Sequence, residues 1–376
     1  MELRTTADEA DRERNLVHVS PYLQRDSTKI NLSLNESHIQ VPERVRTAIA
    51  AALNRLHEYP IGLEPKVIEE VAAFYGVVPA QVAITHGLDD ALDQLIESFR
   101  DMRFSIFEPT FFAYKERLRL SKVRHQILRL DEHFAIPKDT LSHLGKEDFV
   151  LLANPNNPTG TVFDEAVIDQ LQNNCGKILV DEAYIDFCGQ QSRIGRIDDR
   201  TFVFRSLSKI FALAGLRLGF LFGSEANMAP IKNRQWFCNI STGALEAIRA
   251  VLRDPFISEH AKLVVQSREQ IQFAATELGF HVREGFGNFV LIRHPDSQHL
   301  VLFLDSQGIC VTDTAVHGLE DHVRISLGTA AENGALVEAL RRYASQFGMS
   351  SDVARRLTAV LPFPRQTAEV SAVLGV

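Results

Sequence analysis

Cysteine, tryptophan and long apolar runs are what this chain has least of. Its 376 residues include four cysteines and one tryptophan. Cys175, Cys188, Cys238 and Cys310 form no C-x-x-C pair and show no framework spacing, so a reduced, cytoplasmic setting is expected. Thirteen histidines occur, but without H-E-x-x-H or paired Cys/His spacing, and no metal is expected. No uninterrupted apolar run approaches the roughly 20 residues that cross a bilayer. The longest candidate, 210–223, carries Arg217 in its middle. Basic excess is absent as well. A net charge of −8 argues against nucleic acid or an anionic membrane as the main partner. The start, MELRTTADEADRER, is charged from its second residue and is not expected to be a signal peptide.

What is present is ordinary for a globular protein: 45% hydrophobic and 23% charged residues. At roughly 100–200 residues per domain, two domains are expected. Residues 1–40 read as an arm that returns to a smaller domain, 41–245 as a large domain and 246–349 as the smaller one. Residues 350–376 read as a tail of unassigned role. Within the large domain, strand-like runs QVAIT (81–85), FSIFEP (104–109), FVLLA (149–153), KILVD (177–181), TFVF (201–204) and GFLFG (219–223) alternate with helical segments. Alternation of this kind implies crossovers and a mostly parallel sheet. The runs are apolar throughout, as strands covered on both faces are. After about 245 helical residues dominate, with NFVLI (288–292) and HVRISL (322–327) as short strands.

Polar residues gather just after these strands. His86 to Asp89 follow the first, Asn154 to Gly160 the third, Asp181 and Tyr184 the fourth, and Ser206, Ser208 and Lys209 the fifth. In an open α/β sheet, ligands sit beyond the carboxyl ends of the strands. A lysine in apolar surroundings favours its neutral, nucleophilic amine, which an aldehyde cofactor would engage as a Schiff base. Arg217 is a permanent cation suited to a phosphate. Asp181 would be a buried acid needing a cationic partner, which a pyridinium nitrogen provides, and Tyr184 and Asn157 could hydrogen-bond a phenolic oxygen on the same ring. Together these describe pyridoxal phosphate.

The pieces THGLDD (85–90), FEPTFFAY (107–114), NPNNPTG (154–160), VDEAYIDF (180–187), FRSLSKIFALAGLRLGF (204–220) and VRISLGT (323–329), with YP (59–60) and NFV (288–290), cover roughly residues 30–345. In them the chain resembles the fold-type-I pyridoxal-phosphate enzymes, aminotransferase class I/II, and most of all the histidinol-phosphate aminotransferase branch. The resemblance implies an α/β protein. Its large domain would be aspartate aminotransferase-like, with a mostly parallel seven-stranded sheet, beside a smaller α+β domain. It implies that Lys209 carries the cofactor and shuttles the proton, that Asp181 pairs with the ring nitrogen, and that Asn157 and Tyr184 contact the ring oxygen. Ser206, Ser208, Arg217 and the backbone at Leu88 and Asp89 would hold the phosphate, and Phe111 would stack on the ring. Tyr59 would reach the neighbouring subunit's phosphate, implying a homodimer. Arg324 would clamp the substrate α-carboxylate.

The substrate side departs from the branch. Thr312, with Asp313 beside it, stands where the branch typically has an arginine near the distal phosphate, and NESHIQVP replaces the usual N-P-Y-G run. With Glu36 and Asp89, this leads to the expectation of a neutral or cationic substrate side chain rather than histidinol phosphate. The same cofactor would also serve a decarboxylase, lyase or cyclase, as in threonine-phosphate decarboxylases and capreomycidine-forming enzymes, which resemble this branch too. A cofactor-sensing regulator is disfavoured, because the roughly 35 residues before the matching region show no helix-turn-helix pattern.

Overall fold

The computed structural model describes residues 26–348. Residues 1–25 of the expected arm, and the whole expected tail, lie outside the described residues. The first strand, β1 (Ile30–Asn31), comes from the arm. Seven more build the main sheet: β2 (Val82–Thr85), β3 (Arg103–Glu108), β4 (His125–Arg129), β5 (Asp148–Ala153), β6 (Lys177–Asp181), β7 (Thr201–Ser206) and β8 (Gly219–Gly223), in the order β2-β8-β7-β6-β5-β3-β4. Pairings among β3 to β7 are parallel, whereas β8 runs antiparallel to both of its neighbours. The expected mostly parallel seven-stranded sheet is therefore present.

Alternate residues along its strands feed opposite faces, the period of two that a pleated strand imposes. In β5, Phe149 and Leu151 join the core beneath the helices Gly87–Ser98 and Phe112–Leu120, while Val150 and Leu152 face the helix Glu165–Asn174. β4 is the exception. It is an edge strand, HQILR, with exposed ends and half-buried middle residues, so it lacks the apolar run that marks the others.

A second, four-stranded antiparallel sheet contains β9 (His281–Arg283), β10 (Phe289–Arg293), β12 (Thr312–Asp313) and β13 (His322–Ser326), in the order β12-β13-β10-β9. The arm reaches this region through β1, which pairs in parallel with β11 (Ile309–Cys310). Helices Phe256–Glu277, Ser297–Ser306 and Ala330–Gln346 pack around it. The last of these begins with a capping box between Thr329 and Glu332. The boundary expected at 245 falls inside the helix Thr242–Leu252, which packs on the helices Glu43–Ala52 and Leu63–Tyr75.

The two regions meet closely where the loop 154–160 touches 285–286. Gly160 has φ +70°, and a Cβ there would stand 2.7 Å from Gly285 Cα. The Phe286 N–H donates to Gly160 O at 2.9 Å. Gly160→Ala should cost at least about 1 kcal/mol from the left-handed backbone alone, with the clash added. Thermal unfolding checks this, and an unchanged Tm would contradict the contact.

Candidate active site

Sheet register explains why the chemistry gathers at one edge. Thr85 of β2 and Ser206 of β7 both pair with Gly219 of β8. Because β8 is antiparallel, its beginning lies beside the ends of its neighbours, and Arg217 arrives at the edge where Gly87 and Lys209 leave it. A cavity of about 440 Å³ opens there.

One end of the cavity is rich in donors. Gly87, at φ +73°, opens the helix Gly87–Ser98, so the N–H groups of Leu88 and Asp89 belong to the unpaired first turn. Asp90 accepts from His86 N at 2.8 Å and closes that turn. Arg217 is exposed into the cavity, and its Nη2 lies 3.5 Å from Asp89 Oδ2. A Cβ on Gly87 would stand 3.3 Å from that nitrogen, so glycine leaves room for the guanidinium. Ser208 N donates to Ser206 Oγ at 3.1 Å, and both serines line the cavity. In this loop Ala212 (φ +57°) and Arg217 (φ +53°) take the left-handed conformation that side chains disfavour, strain of a kind that collects at functional sites.

Lys209 lies partly buried in the wall. Its Nζ donates to Asn35 O at 2.9 Å and stands 5.7 Å from the centre of the Tyr184 ring. Burial, together with Arg324 and Arg217, brings its pKa down to about 7. Asp181 is buried and lines the same cavity. Its Oδ2 accepts from Tyr114 Oη at 2.7 Å and its Oδ1 from Ala183 N at 3.0 Å. Burial raises its pKa to about 6, against the pull of those donors and of Lys209. Phe111 lies at the start of the helix Phe112–Leu120, with its ring edge-on to Tyr114.

The other end is built around Arg324, buried on β13. Its guanidinium donates to Asn157 Oδ1 and Ser33 O, and reaches His317 Nε2 at 3.3 Å. Its Nε–H is buried without a hydrogen-bond partner, a cost that an incoming anion would relieve. His317 pairs through Nδ1 with Thr110 O at 3.2 Å, and burial beside Arg324 holds it neutral, far below its ordinary pKa. Glu36 also lines the cavity.

Of the residues singled out from sequence, Lys209, Asp181, Tyr184, Asn157, Ser206, Ser208, Arg217, Leu88, Asp89, Phe111, Arg324 and Glu36 all line this one cavity. Two do not. Tyr59 stands 78% exposed outside it. Thr312 is buried behind Arg324, donating to Ser33 O at 2.7 Å and accepting from Arg324 Nη2 at 3.2 Å, so it braces the arginine rather than facing a substrate.

Sequence reading passed over Asn35, Tyr114 and His317. Asn35 is the most connected of them: Nδ2 donates to Tyr184 Oη at 3.0 Å, and its N–H to Ser326 Oγ at 2.8 Å. Its left-handed φ of +51° has no sequence signal beyond asparagine's tolerance of that region. Tyr114 sits within the quoted FEPTFFAY motif, where its hydroxyl was the available clue.

The donor end, the desolvated amine, the buried carboxylate and the orphaned Arg324 Nε–H fit pyridoxal 5'-phosphate with an amino-acid-type substrate. The family model for aminotransferase class I and II matches residues 27–340. A histidinol-phosphate aminotransferase of Hydrogenobaculum sp. is 30% identical over 334 residues, covering 84% of this chain and 93% of that protein. Histidinol-phosphate aminotransferase 1 of Bradyrhizobium diazoefficiens is 30% identical over 341 residues, covering 86% and 96%. Among solved structures, a candidate aminotransferase from Burkholderia pseudomallei is 35% identical with a TM-score of 0.80, covering 85% of this chain and all of that one. The histidinol-phosphate aminotransferase of Clostridium acetobutylicum shares the fold, at 23% identity and a TM-score of 0.77 over 84% of this chain and 99% of that one. With its sheet order, its cavity and a family match over most of its length, the chain belongs to the aminotransferase class I and II family.

Proposed function

We propose that this chain is a pyridoxal-phosphate-dependent aminotransferase that moves the amino group of a small amino-acid-type substrate, working as a cytoplasmic homodimer. The observation that carries the reading is one cavity holding a desolvated lysine amine, a buried carboxylate and an arginine with one unpaired N–H. When bound, the cofactor supplies an electron sink for the bond broken at the substrate α-carbon.

Each side chain then has a task. Lys209, neutral above about pH 7, holds the cofactor covalently, and its Nζ takes and returns the α-carbon proton. Asp181 accepts from the ring nitrogen, and Tyr184 and Asn157 hold the ring oxygen. Arg217, the hydroxyls of Ser206 and Ser208, and the N–H groups of Leu88 and Asp89 bind the phosphate. Phe111 covers the ring. Arg324, pre-oriented by Asn157, Ser33 and Thr312, takes the α-carboxylate.

Three of the four proteins named above are called after histidinol phosphate. For this chain we read the preferred substrate as one with a neutral or cationic side chain. Among the described residues lining the cavity, the cations are Lys209, Arg217 and Arg324, each with a task already, and Glu36 adds a carboxylate to the lining. A phosphate brought within about 4 Å of a carboxylate would meet repulsion on the order of 4 kcal/mol per charge pair. Specificity constants at fixed acceptor should place histidinol phosphate below arginine or phenylalanine, and the reverse order would overturn this reading. Support for the dimer comes from Tyr59 and Ile61, 78% and 80% exposed, large apolar surfaces of a kind that a partner covers. A fully active monomer in sedimentation at assay concentration would contradict it.

The direct test is covalent. The purified protein should be yellow, and borohydride should fix the cofactor on Lys209, with capture by the cofactor-free protein quickening as pH rises through about 7. The sign follows from a depressed amine pKa: the neutral form dominates above that value and the ammonium below it. Lys209→Ala should fold and lose turnover by several orders of magnitude. Label on another lysine contradicts the assignment.

A further inference from the structure

Asp181 does not stand alone beneath the cavity. Tyr114, on the helix Phe112–Leu120, is fully buried, and its hydroxyl lies 2.7 Å from Asp181 Oδ2. The preceding aromatics, Phe111 and Phe112, are hydrocarbon, so this segment carries one phenol and points it at the carboxylate. Each oxygen of Asp181 thus has one donor, Tyr114 Oη on Oδ2 and Ala183 N on Oδ1. One anchor comes from the side chain of a helical residue and the other from the backbone of the turn after β6.

We infer that Tyr114 is a positioning residue for the cofactor: through its hydrogen bond it keeps the Asp181 carboxylate ionised and fixed in the orientation that accepts from the ring nitrogen. The inference rests on the assignment of pyridoxal phosphate to this cavity. Direction is fixed by chemistry. An ionised carboxylate only accepts hydrogen bonds, and a neutral phenol has one proton to give. Burial beside Asp181 pushes the Tyr114 phenol well above its ordinary pKa, so it remains a donor throughout the working range. Burial also drives Asp181 towards its neutral form, and the phenol is the largest of the interactions opposing that drift. The titratable groups around the pair are Lys209 from the loop after β7 and Tyr184 from the segment after β6. Lys209 favours the ionised acid, and once its amine is covalently committed that help changes, leaving the hydrogen bonds of Tyr114 and Ala183 as the fixed support.

The consequence is a pH dependence. Cofactor retention that needs ionised Asp181 is level above the acid's pKa and falls as pH drops through it. Removing the phenol raises that pKa, so retention should fail at higher pH. A hydrogen bond to a charged group corresponds to a shift of about one to two pH units. The experiment follows bound-cofactor absorbance against pH for wild type and Tyr114→Phe, with dissociation into an excess of cofactor-free scavenger as a second readout. Expected are equal retention at alkaline pH, an acid-side midpoint moved upward in Tyr114→Phe, and no further movement when Tyr114→Phe is added to Asp181→Asn. If Tyr114→Phe does not fold, 3-fluorotyrosine at this position keeps the shape and strengthens the donor, and the midpoint should move downward. An unshifted midpoint, or a uniform loss of affinity at every pH, overturns the inference while leaving the site intact. A wild-type protein that retains no pyridoxal phosphate overturns both.

Discussion

The Lys209 amine is held where the arm, the main sheet and the antiparallel sheet come together, and burial there removes much of its hydration. Two carbonyls of the arm, Asn35 O at 2.9 Å and Leu34 O at 3.3 Å, replace part of the lost water. They stabilise the amine as a donor without a countercharge at contact distance. Arg324 and Arg217 disfavour its ammonium form, while Glu36 and Asp181 partly offset them. The balance, a pKa near 7 instead of 10.5, exists only while all three regions are assembled. A change that loosened the arm would return water to the amine and send its pKa back up.

The arm is secured accordingly. Asn35 bonds Ser326 on β13, Tyr184 after β6 and, through its carbonyl, Asn288 before β10. Ser33 O receives both Arg324 and Thr312. The groups that hold the arm at Ser33 and Asn35 in place are thus the groups that shape the substrate end. The two ends of the cavity differ in kind. The phosphate end is open and donor-rich, built from strand ends and a helix start. The substrate end is buried, and its arginine is preset by neighbours with one N–H left over. Preset donors reorganise little when an anion arrives, which is how a protein site outperforms water.

Much of this was legible in the sequence because the main sheet is covered on both faces. Its central strands are apolar runs, each ends abruptly in polar residues, and Asp181, Ser206, Ser208 and Lys209 fall where the runs stop. β4 escaped because an edge strand half open to solvent has no such run, and β11 and β12 because each is two residues long. The helix Glu225–Arg234 carries Pro230 inside it, which blurs the pattern. At the site, what stayed hidden are contacts between residues far apart in the chain. Asn35 and Ser326 are 291 positions apart, and nothing local marks either. Thr312 shows the converse: its position in a motif was plain, but only packing shows that it faces Arg324 and not the cavity.

The most direct measurement of the central claim is a single turnover. Purified protein carrying one equivalent of cofactor per chain is mixed with one amino acid from a panel, with no acceptor present, and product and cofactor are followed together. The account predicts one equivalent of the corresponding oxo acid per site, the nitrogen retained on the protein-bound cofactor, and none of it with Lys209→Ala. Release of carbon dioxide or free ammonia in place of the oxo acid and the aminated cofactor would contradict it.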